Sequence, residues 1–206
     1  MKVLVTGGSG YVGNHLCTML IESNFQVRIL DKIKPRLLGK QNIEFIQGDI
    51  LDSNICDKAV EDCDIVIHAA AILPLSKTLN KNFNTNICGT QNICKSIEKN
   101  SRVSHLIYLS SYAPLPDAEL SLSWQKLQNE SYLASKLKSE QYILGGMNSR
   151  KSLSKSILRL GTVMSSDREG IFSVLSQAIN SNSPIIIPMK RNEIFCIDFI
   201  HIEDVF

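Results

Sequence analysis

Tyr132 and Lys136 are four residues apart, so on a helix their side chains lie on one face, one turn from each other. An unperturbed tyrosine has a pKa of about 10, and a neighbouring cation favours the phenolate. We therefore expect Lys136 to lower the pKa of Tyr132 and to make it an acid or base usable near neutral pH. Taken alone, this spacing is common, and a surface pair would be the favoured interpretation.

Two adjacent hydroxyls add to this pair. Ser110 and Ser111 follow the apolar run Leu106 to Leu109, which predicts a buried strand. A hydroxyl at the carboxyl end of such a strand can orient a substrate oxygen toward the phenol. The residues therefore indicate a Ser-Tyr-Lys constellation, with either serine as its first member.

A glycine-rich turn links the first predicted strand, Lys2 to Thr6, to the first predicted helix, Tyr11 to Ser23. Glycines at the start of the turn permit its tightness, Gly10 lets the backbone approach a pyrophosphate, and Gly13 lets helix and strand pack closely. The helix N-terminus offers N–H groups to the anion. The sequence therefore predicts a dinucleotide site formed by Gly7, Gly10, Tyr11, Val12 and Gly13. The alternative is that the glycines merely form a turn.

Asp31 ends the second predicted strand, eighteen residues after Gly13. A carboxylate there can accept hydrogen bonds from the adenosine ribose and would repel a 2′-phosphate. This favours NAD over NADP as cofactor, although the adjacent Lys32 would soften the repulsion. The alternative interpretation is a solvated strand end.

Further candidates for cofactor contact follow later strands. They are Asp49 and Ile50 after the third strand, Ala69-Ala70-Ala71 after the fourth, and Asn86 in the next helix. Ligands of open α/β sheets lie at the carboxyl edge of the strands, and alanines would let a flat dinucleotide approach the backbone. Asp49 could instead belong to the N-cap region of the next helix, and an alanine triplet fits plain packing as well.

The elements that must position these residues alternate as β and α. Short β-branched runs are separated by longer amphipathic stretches, and the later runs are almost continuously apolar, as strands buried on both faces must be. This pattern predicts an α/β protein with a doubly wound parallel sheet of the Rossmann type. The remaining predicted strands are Gln26 to Leu30, Glu44 to Gln47, Asp64 to His68, Val103 to Leu109 and Ser156 to Leu160, and the remaining helices are Asn80 to Lys99, Gln128 to Leu144 and Ile171 to Asn180.

The chain has no compositional boundary, so we divide it by element pattern. Residues 1–160 are predicted to form the dinucleotide-binding domain, and residues 161–206 to begin a small substrate-binding portion interleaved with it. Apolar runs from Pro184 to Pro188 and from Phe195 to Ile200 belong to that portion. Because the sequence stops at Phe206 just as a helix begins, we expect this portion to be incomplete.

Composition excludes several classes. The 206 residues carry 22 basic and 20 acidic side chains, scattered along the chain, which predicts neither a nucleic-acid partner nor a membrane partner. No stretch is long enough for a secretory signal or a membrane span, so we expect a cytoplasmic protein. Six cysteines lack metal-ligand spacing, so no metal is predicted and the thiols are expected to be reduced and mostly buried.

Taken in order, these motifs resemble the extended short-chain dehydrogenase/reductase superfamily, and within it the NAD-dependent epimerases and dehydratases of nucleotide sugars. The resemblance spans nearly the whole chain. It rests on Thr6-Gly7-Gly8-Ser9-Gly10-Tyr11-Val12-Gly13, Gln47-Gly48-Asp49, His68-Ala69-Ala70-Ala71, Asn86-x-x-Gly89-Thr90, Tyr132-x-x-x-Lys136, the segment Leu158 to Val163 and the segment Asp198 to Val205.

The resemblance implies roles for the constellation. Tyr132 would be the acid/base, Lys136 would hold the nicotinamide ribose and tune Tyr132, and Ser111 would bond the reacting hydroxyl, with Ser110 in reserve. The chemistry implied begins with hydride transfer from a sugar carbon to NAD⁺. His201 is interpreted as structural. Thr162, where the family usually has asparagine, leaves the substrate unassigned.

Three functions are compatible with the sequence. The first is an epimerase, dehydratase or related oxidoreductase acting on a nucleotide sugar. The second is a non-catalytic dinucleotide-binding protein. The third is reduction of a small non-nucleotide carbonyl or of a flavonoid- or steroid-like substrate. The resemblance also implies a homodimer through the two long helices, although their amphipathicity would serve the sheet equally well.

Overall fold

The structure is a computed structural model that describes residues 1–73, 83–112, 132–147, 150, 152–164, 180–181 and 199–205. Its main feature is a six-stranded sheet with the strand order β3-β2-β1-β4-β5-β6. The order reverses between β1 and β4, which is where doubly wound sheets bind their ligands. The strands are β1 Lys2–Thr6, β2 Gln26–Asp31, β3 Ile43–Gln47, β4 Ile65–His68, β5 His105–Ser111 and β6 Ser154–Leu160.

The pairing is parallel from β3 through β5, and the register aligns apolar residues across the centre of the sheet. Val3 of β1 lies opposite Val27 of β2 and Ile65 of β4, and Ile67 lies opposite Ile107 of β5. The central strands are buried on both faces, whereas the edge strand β3 is half-exposed. The predicted α/β fold class with a doubly wound parallel sheet of the Rossmann type is confirmed.

Four helices are described beside this sheet. They are α1 Tyr11–Glu22, α2 Ser53–Val60, α3 Asn84–Lys99 and α4 Tyr132–Gly146. The N-cap of α2 is Asp52, whose carboxylate accepts hydrogen bonds from the backbone N–H groups of Asn54 and Ile55. The main hydrophobic core lies among α2, α3, α4 and strands β4 and β5, around residues such as Val66, Ile93, Leu106 and Ile143.

Helix α4 ends later than the sequence predicts. It continues through Gly145 and Gly146, beyond the predicted end at Leu144. The ammonium of Lys155 donates hydrogen bonds to the carbonyls of Ile143 and Met147, which satisfies acceptors at the helix end without a glycine cap. Of the predicted helix Ile171 to Asn180, only Asn180 is described and it is helical, and the run Pro184 to Pro188 lies outside the described residues.

The chain divides into two compact units, Met1–Arg159 and Leu160–Phe206. The first contains the four helices and nearly all of the six-stranded sheet. In the second, the described residues form a parallel pair of short strands, β7 Thr162–Met164 and β8 Phe199–His201, followed by a 3-10 helix, Ile202–Val205.

Three further features concern the whole described part of the chain. Its five cysteines are free, and four of them are buried while Cys88 is exposed; Cys196 lies outside it. Among the residues described, no three or more His, Cys, Asp or Glu side chains are grouped to hold a metal ion. None of the described helices has the length and apolar character needed to cross a membrane.

Candidate active site at the carboxyl edge of the sheet

The turn between β1 and α1 forms a cradle with no room for side chains. Gly7 has a φ of +71°, a conformation that favours glycine, and its N–H donates to the carbonyl of Leu30. A Cβ added at Gly13 would lie 2.2 Å from the carbonyl oxygen of Gly7, and one added at Gly7 would lie 2.7 Å from the backbone of Ala70. Helix α1 begins immediately after Gly10, which supplies no side-chain cap. Glycine at position 13 therefore lets α1 pack against the turn, and glycine at position 7 lets the turn pack against Ala70. The binding of an anion such as a pyrophosphate at the N-terminus of α1 stays a prediction.

Asp31 lies at the end of β2 with its carboxylate beside this cradle. One oxygen accepts a hydrogen bond of 2.9 Å from the N–H of Ser9, and the other accepts one of 3.1 Å from the N–H of Ile33. The hydroxyl of Ser9 donates to the carbonyl of Ile33. These bonds fix the carboxylate at the edge of the glycine turn, where lone pairs remain for the hydroxyls of a ribose.

Asp49 forms an ion pair with Lys32, at 2.6 Å between Nζ and Oδ2, and its other oxygen accepts from the N–H of Leu51. Burial acts to raise the pKa of Asp49, but the hydrogen bonds from Lys32 and Leu51 outweigh it and lower the pKa. Ile50 points inward and packs against Gly89, where a Cβ would lie 2.2 Å from the Cδ1 atom of Ile50. Its side chain belongs to the core, so any contact with a cofactor would come from its backbone.

The alanine triplet Ala69-Ala70-Ala71 lies against the glycine turn and is held there by Thr6. The N–H of Ala69 donates to the carbonyl of Thr6, and the N–H of Ala70 donates to the Thr6 hydroxyl. The backbone of the triplet therefore packs closely on Gly7, and its role as a cofactor floor stays a prediction.

Beneath the triplet, a chain of hydrogen bonds crosses from β1 to α3. The hydroxyl of Thr90 donates to the carbonyl of Asn86, so it accepts from Nε2–H of His68, and Nδ1 of His68 then accepts from the hydroxyl of Thr6. Burial and, to a lesser extent, Lys136 lower the pKa of His68 to about 3. His68 is therefore a neutral structural histidine.

Asn86, which the sequence predicts to contact a cofactor, is hydrogen-bonded to protein groups. Its buried amide accepts from the N–H of Ile72 and donates to the carbonyl of Ile72 and to the hydroxyl of Ser135. Both donor hydrogens are thereby used on protein partners. Asn86 joins the segment after β4 to α4, so its observed contacts are those of a positioning residue.

Ser111 and Tyr132 come together at the carboxyl end of β5. Burial raises the pKa of Tyr132, while a hydrogen bond with the hydroxyl of Ser111 acts in the opposite direction. The ring of Phe83 packs edge-on against Tyr132 with 6.0 Å between centroids. Contrary to the expectation from sequence, the net shift of the phenol is upward, because desolvation exceeds the effects that favour the phenolate.

Lys136 lies one helical turn from Tyr132 and is only 3% exposed. Its Nζ donates to the carbonyl of Leu109 at 2.6 Å and lies 6.0 Å from the centroid of the Tyr132 ring. Burial lowers the pKa of Lys136 to about 7, although the carboxylate of Glu140 opposes that shift. A group with this pKa can exchange a proton near neutral pH.

Ser110 makes a different contact from its neighbour. Its hydroxyl donates to the carboxylate of Glu140, which is also held by Arg159 in a two-point ion pair with an Nη2 to Oε2 distance of 2.6 Å. Ser110 is thus hydrogen-bonded to Glu140, whereas Ser111 is hydrogen-bonded to the phenol of Tyr132. The geometry therefore favours Ser111 over Ser110 for the hydroxyl role.

Sequence reasoning missed Glu140 and gave Arg159 no role of this kind. Glu140 is four residues after Lys136, so Tyr132, Lys136 and Glu140 occupy successive turns of α4. Three consecutive residues of β5 contact them: Leu109 holds Lys136, Ser110 holds Glu140 and Ser111 meets Tyr132. This β5–α4 clasp, Leu109 to Ser111 with Tyr132, Lys136 and Glu140, fixes the candidate site.

His201, assigned a structural role from sequence, lies 3.7 Å from Glu203 and accepts a hydrogen bond from its backbone N–H. Both residues belong to the second unit. These contacts are local to that unit and hold the start of the 3-10 helix against the end of β8.

The chain is similar in sequence to a known protein family and to two characterised relatives. The model of the NAD dependent epimerase/dehydratase family matches residues 3–206. A 3 beta-hydroxysteroid dehydrogenase/Delta 5-->4-isomerase of Mycobacterium tuberculosis is 30% identical over 156 residues, covering 69% of this chain and 42% of that protein. The human dTDP-D-glucose 4,6-dehydratase is 32% identical over 160 residues, covering 69% of this chain and 45% of that protein. The chain thus spans less than half the length of these two relatives.

A solved structure gives the same fold. The UDP-glucose 4-epimerase of Thermus thermophilus, in complex with NAD, superposes with a TM-score of 0.75 and 23% identity over 100% of this chain and 72% of that chain.

Proposed function

The chain belongs to the NAD-dependent epimerase/dehydratase family, and we propose that it binds NAD and carries the acid/base machinery of an oxidoreductase that acts on a nucleotide sugar. The observation that carries this proposal is the β5–α4 clasp, which places Ser111 and the buried Lys136 with Tyr132. The glycine cradle between β1 and α1 belongs to the same unit of the chain.

The residues around the cradle suit a dinucleotide. Gly7, Gly10 and Gly13 keep the N-terminus of α1 clear for the pyrophosphate, and Asp31 would accept the ribose hydroxyls. Tyr11, Val12, Asp49, Ile50 and Ala69-Ala70-Ala71 are proposed to line the site, Ile50 through its backbone and Asn86 through the contacts it holds in place. When bound, NAD⁺ supplies the hydride acceptor.

In the proposed mechanism Ser111 orients the reacting hydroxyl and Tyr132 takes its proton. The burial that raises the pKa of Tyr132 keeps the phenol protonated at neutral pH in the isolated chain. Proton removal therefore requires positive charge near the phenolate, and protonated Lys136, one turn away, is the described cation placed to provide it. The hydrogen bond from Lys136 to the carbonyl of Leu109 keeps the ammonium facing the end of β5.

A second substrate class is favoured by one specific comparison. The mycobacterial relative, a steroid dehydrogenase/isomerase by name, is 30% identical over 69% of this chain. The same Ser-Tyr-Lys chemistry would serve a hydroxysteroid. We place the nucleotide sugar first because the human relative is a dTDP-D-glucose dehydratase and the Thermus structure is a UDP-glucose epimerase.

The test measures binding before turnover. The purified chain is titrated with NADH and followed by fluorescence, and it is then incubated with NAD⁺ and UDP-glucose, dTDP-glucose or a 3β-hydroxysteroid. Sugar products are separated by chromatography, because net cofactor reduction is expected only with the steroid. Tyr132→Phe should retain NADH affinity and lose about 10²- to 10⁴-fold in turnover, because it removes one hydroxyl and little volume.

Tyr142→Phe is the matched control, since Tyr142 lies on the same helix but packs against the hydrophobic core. It should leave both NADH affinity and turnover unchanged. A Tyr132→Phe variant as active as the parent would refute the proposed mechanism. A chain that binds NADH but converts no substrate would favour the non-catalytic dinucleotide-binding function. The cytoplasmic location and the homodimer remain predictions.

A further inference from the structure

We infer that Asp49 helps the chain select NAD over NADP by holding the ammonium of Lys32 away from the place where a 2′-phosphate would lie. This inference rests on the proposed function, because it presupposes a dinucleotide whose adenosine ribose meets Asp31. It adds a specificity-determining role for a side chain that sequence analysis assigned only to cofactor contact.

The ion pair that carries the inference is well defined. Nζ of Lys32 is 2.6 Å from Oδ2 of Asp49, although the Lys32 side chain is 66% exposed and otherwise has room to turn. The Asp49 side chain is 31% exposed, and the N–H of Leu51 holds its second oxygen. Asp49 is therefore a fixed anchor and Lys32 the movable partner.

The backbone around Lys32 is also held in place. The side-chain amide of Gln47 donates to the carbonyl of Lys32, and the N–H of Gly48 donates to the carbonyl of Asp31. The backbone of Lys32, the residue that follows Asp31, is therefore fixed at the end of β2. From this position the side chain can reach either toward Asp49 or toward a group bound at Asp31.

The charges explain the choice between the two cofactors. A 2′-phosphate would meet the carboxylate of Asp31, which Ser9 and Ile33 hold at the end of β2. Lys32 is the adjacent cation that could offset this repulsion, but its ammonium is bound to Asp49. NAD presents a neutral 2′-hydroxyl there and needs no cation. Asp31 thus disfavours NADP by repulsion, and Asp49 disfavours it by occupying Lys32.

The experiment measures dissociation constants of NADH and NADPH by fluorescence titration of the full chain at low salt. The discrimination factor is the constant for NADPH divided by that for NADH. Contacts of Asp49 with the adenine are common to both ligands and cancel in this ratio. Asp49→Asn should lower the factor about threefold to fivefold, the size of effect expected of one exposed ion pair.

Lys32 provides the matched control. Lys32→Gln in the parent should change the factor by less than about twofold, because the ammonium is already occupied. The double variant Asp49→Asn with Lys32→Gln should return to the value of Lys32→Gln alone. This last comparison separates release of Lys32 from the loss of the Asp49 charge itself.

Three results would overturn the inference: an unchanged factor in Asp49→Asn, the same decrease in the Lys32→Gln background, or a large loss of NADPH affinity in Lys32→Gln alone. The last result does not depend on whether Asp49→Asn folds. A parent chain that binds neither dinucleotide would instead refute the proposed function, so the two failures are distinguishable.

Discussion

Gly13 is the residue at which the cradle can be tested most directly. In Gly13→Ala the added methyl would lie 2.2 Å from the carbonyl oxygen of Gly7, a backbone atom that can move only with the turn itself. We expect a loss of about 1–3 kcal/mol in the free energy of unfolding and at least a tenfold loss of NADH affinity. Urea denaturation and fluorescence titration measure the two effects.

Gly145→Ala is the control for this change, because a Cβ at Gly145 meets nothing within 4 Å. It should leave NADH affinity unchanged, and alanine's higher helix propensity should keep stability equal or slightly raised. If Gly13→Ala bound NADH as tightly as the parent, the cradle would not be the pyrophosphate site.

The lowered pKa of Lys136 should make the free energy of unfolding depend on pH. Burial lowers its pKa from the ordinary 10.5 to about 7. Between these values the unfolded chain binds a proton that the folded chain does not, so the contribution of Lys136 to stability rises with pH. Below about pH 7 both states are protonated, and the cost of burying the charge is fully present.

The measurement compares urea unfolding of the parent and of Lys136→Met from pH 6.5 to 10.5 without dinucleotide. The unfolding free energy of the parent minus that of Lys136→Met should increase as the pH rises. The increase is at most about 1.4 kcal/mol per pH unit, the slope for one proton. If the unfolding free energies of the parent and of Lys136→Met changed in parallel with pH, the folded chain would keep the ammonium of Lys136 charged.

At the scale of elements, the Glu140–Arg159 pair ties α4 to β6, and its two members are not equivalent. The side chain of Glu140 is 4% exposed, whereas that of Arg159 is 49% exposed. Arg159→Met leaves a buried carboxylate without its cation, and we expect a cost of about 3 kcal/mol. Glu140→Gln leaves a guanidinium that can turn to water, and we expect about 1–2 kcal/mol.

Urea denaturation of both single variants and of the double variant tests whether Arg159→Met costs more stability than Glu140→Gln. The double variant should be less destabilised than the two single costs added together, because the second change removes the group that the first left unpaired. Lys99→Met, which removes an exposed pair with Asp57, is the control and should cost less than about 1 kcal/mol. Equal costs for the two single variants would mean that the carboxylate is solvated.

The helices and strands were predictable where an apolar run or a glycine turn marked them in the sequence. The apolar runs of β1, β2 and β4 and the glycine turn before α1 placed those elements within about two residues, because burial on both faces demands continuous hydrophobicity. Helix α2 was not placed, since it has only eight residues. The end of α4 was misplaced because the carbonyl contacts of Lys155 are tertiary and leave no local trace.

In the candidate site, too, local patterns could be predicted from the sequence, whereas contacts between elements could not. Tyr132, Lys136 and the glycines form local patterns that sequence analysis detects. The commitment of Ser110 to Glu140 and the contacts of Asn86 with Ile72 and Ser135 depend on which strands and helices meet, which sequence spacing does not reveal. Glu140 carried one usable signal, its four-residue spacing from Lys136, but charged residues on helices are usually solvent-exposed.

At the scale of the whole molecule, a bound dinucleotide should stabilise the fold by mass action. A ligand that binds only the folded chain, added at one hundred times its dissociation constant, raises the free energy of unfolding by about 2.7 kcal/mol. Thermal melts with increasing NAD⁺ should show this gain for the parent and equally for Tyr132→Phe, which keeps the cradle. Gly13→Ala should show little gain at the same concentrations, and an equal gain there would place the ligand elsewhere.

The hydrogen-bonded ring of His68 has a consequence for any titration of this protein. With both nitrogens engaged by Thr6 and Thr90 and a pKa of about 3, the imidazole stays uncharged throughout the physiological range. A kinetic or spectroscopic midpoint observed between about pH 5 and 8 therefore reports a group other than His68. In nuclear magnetic resonance the shielded Nε2 proton should exchange slowly with water, so its signal would report whether the layer beneath the glycine cradle is intact.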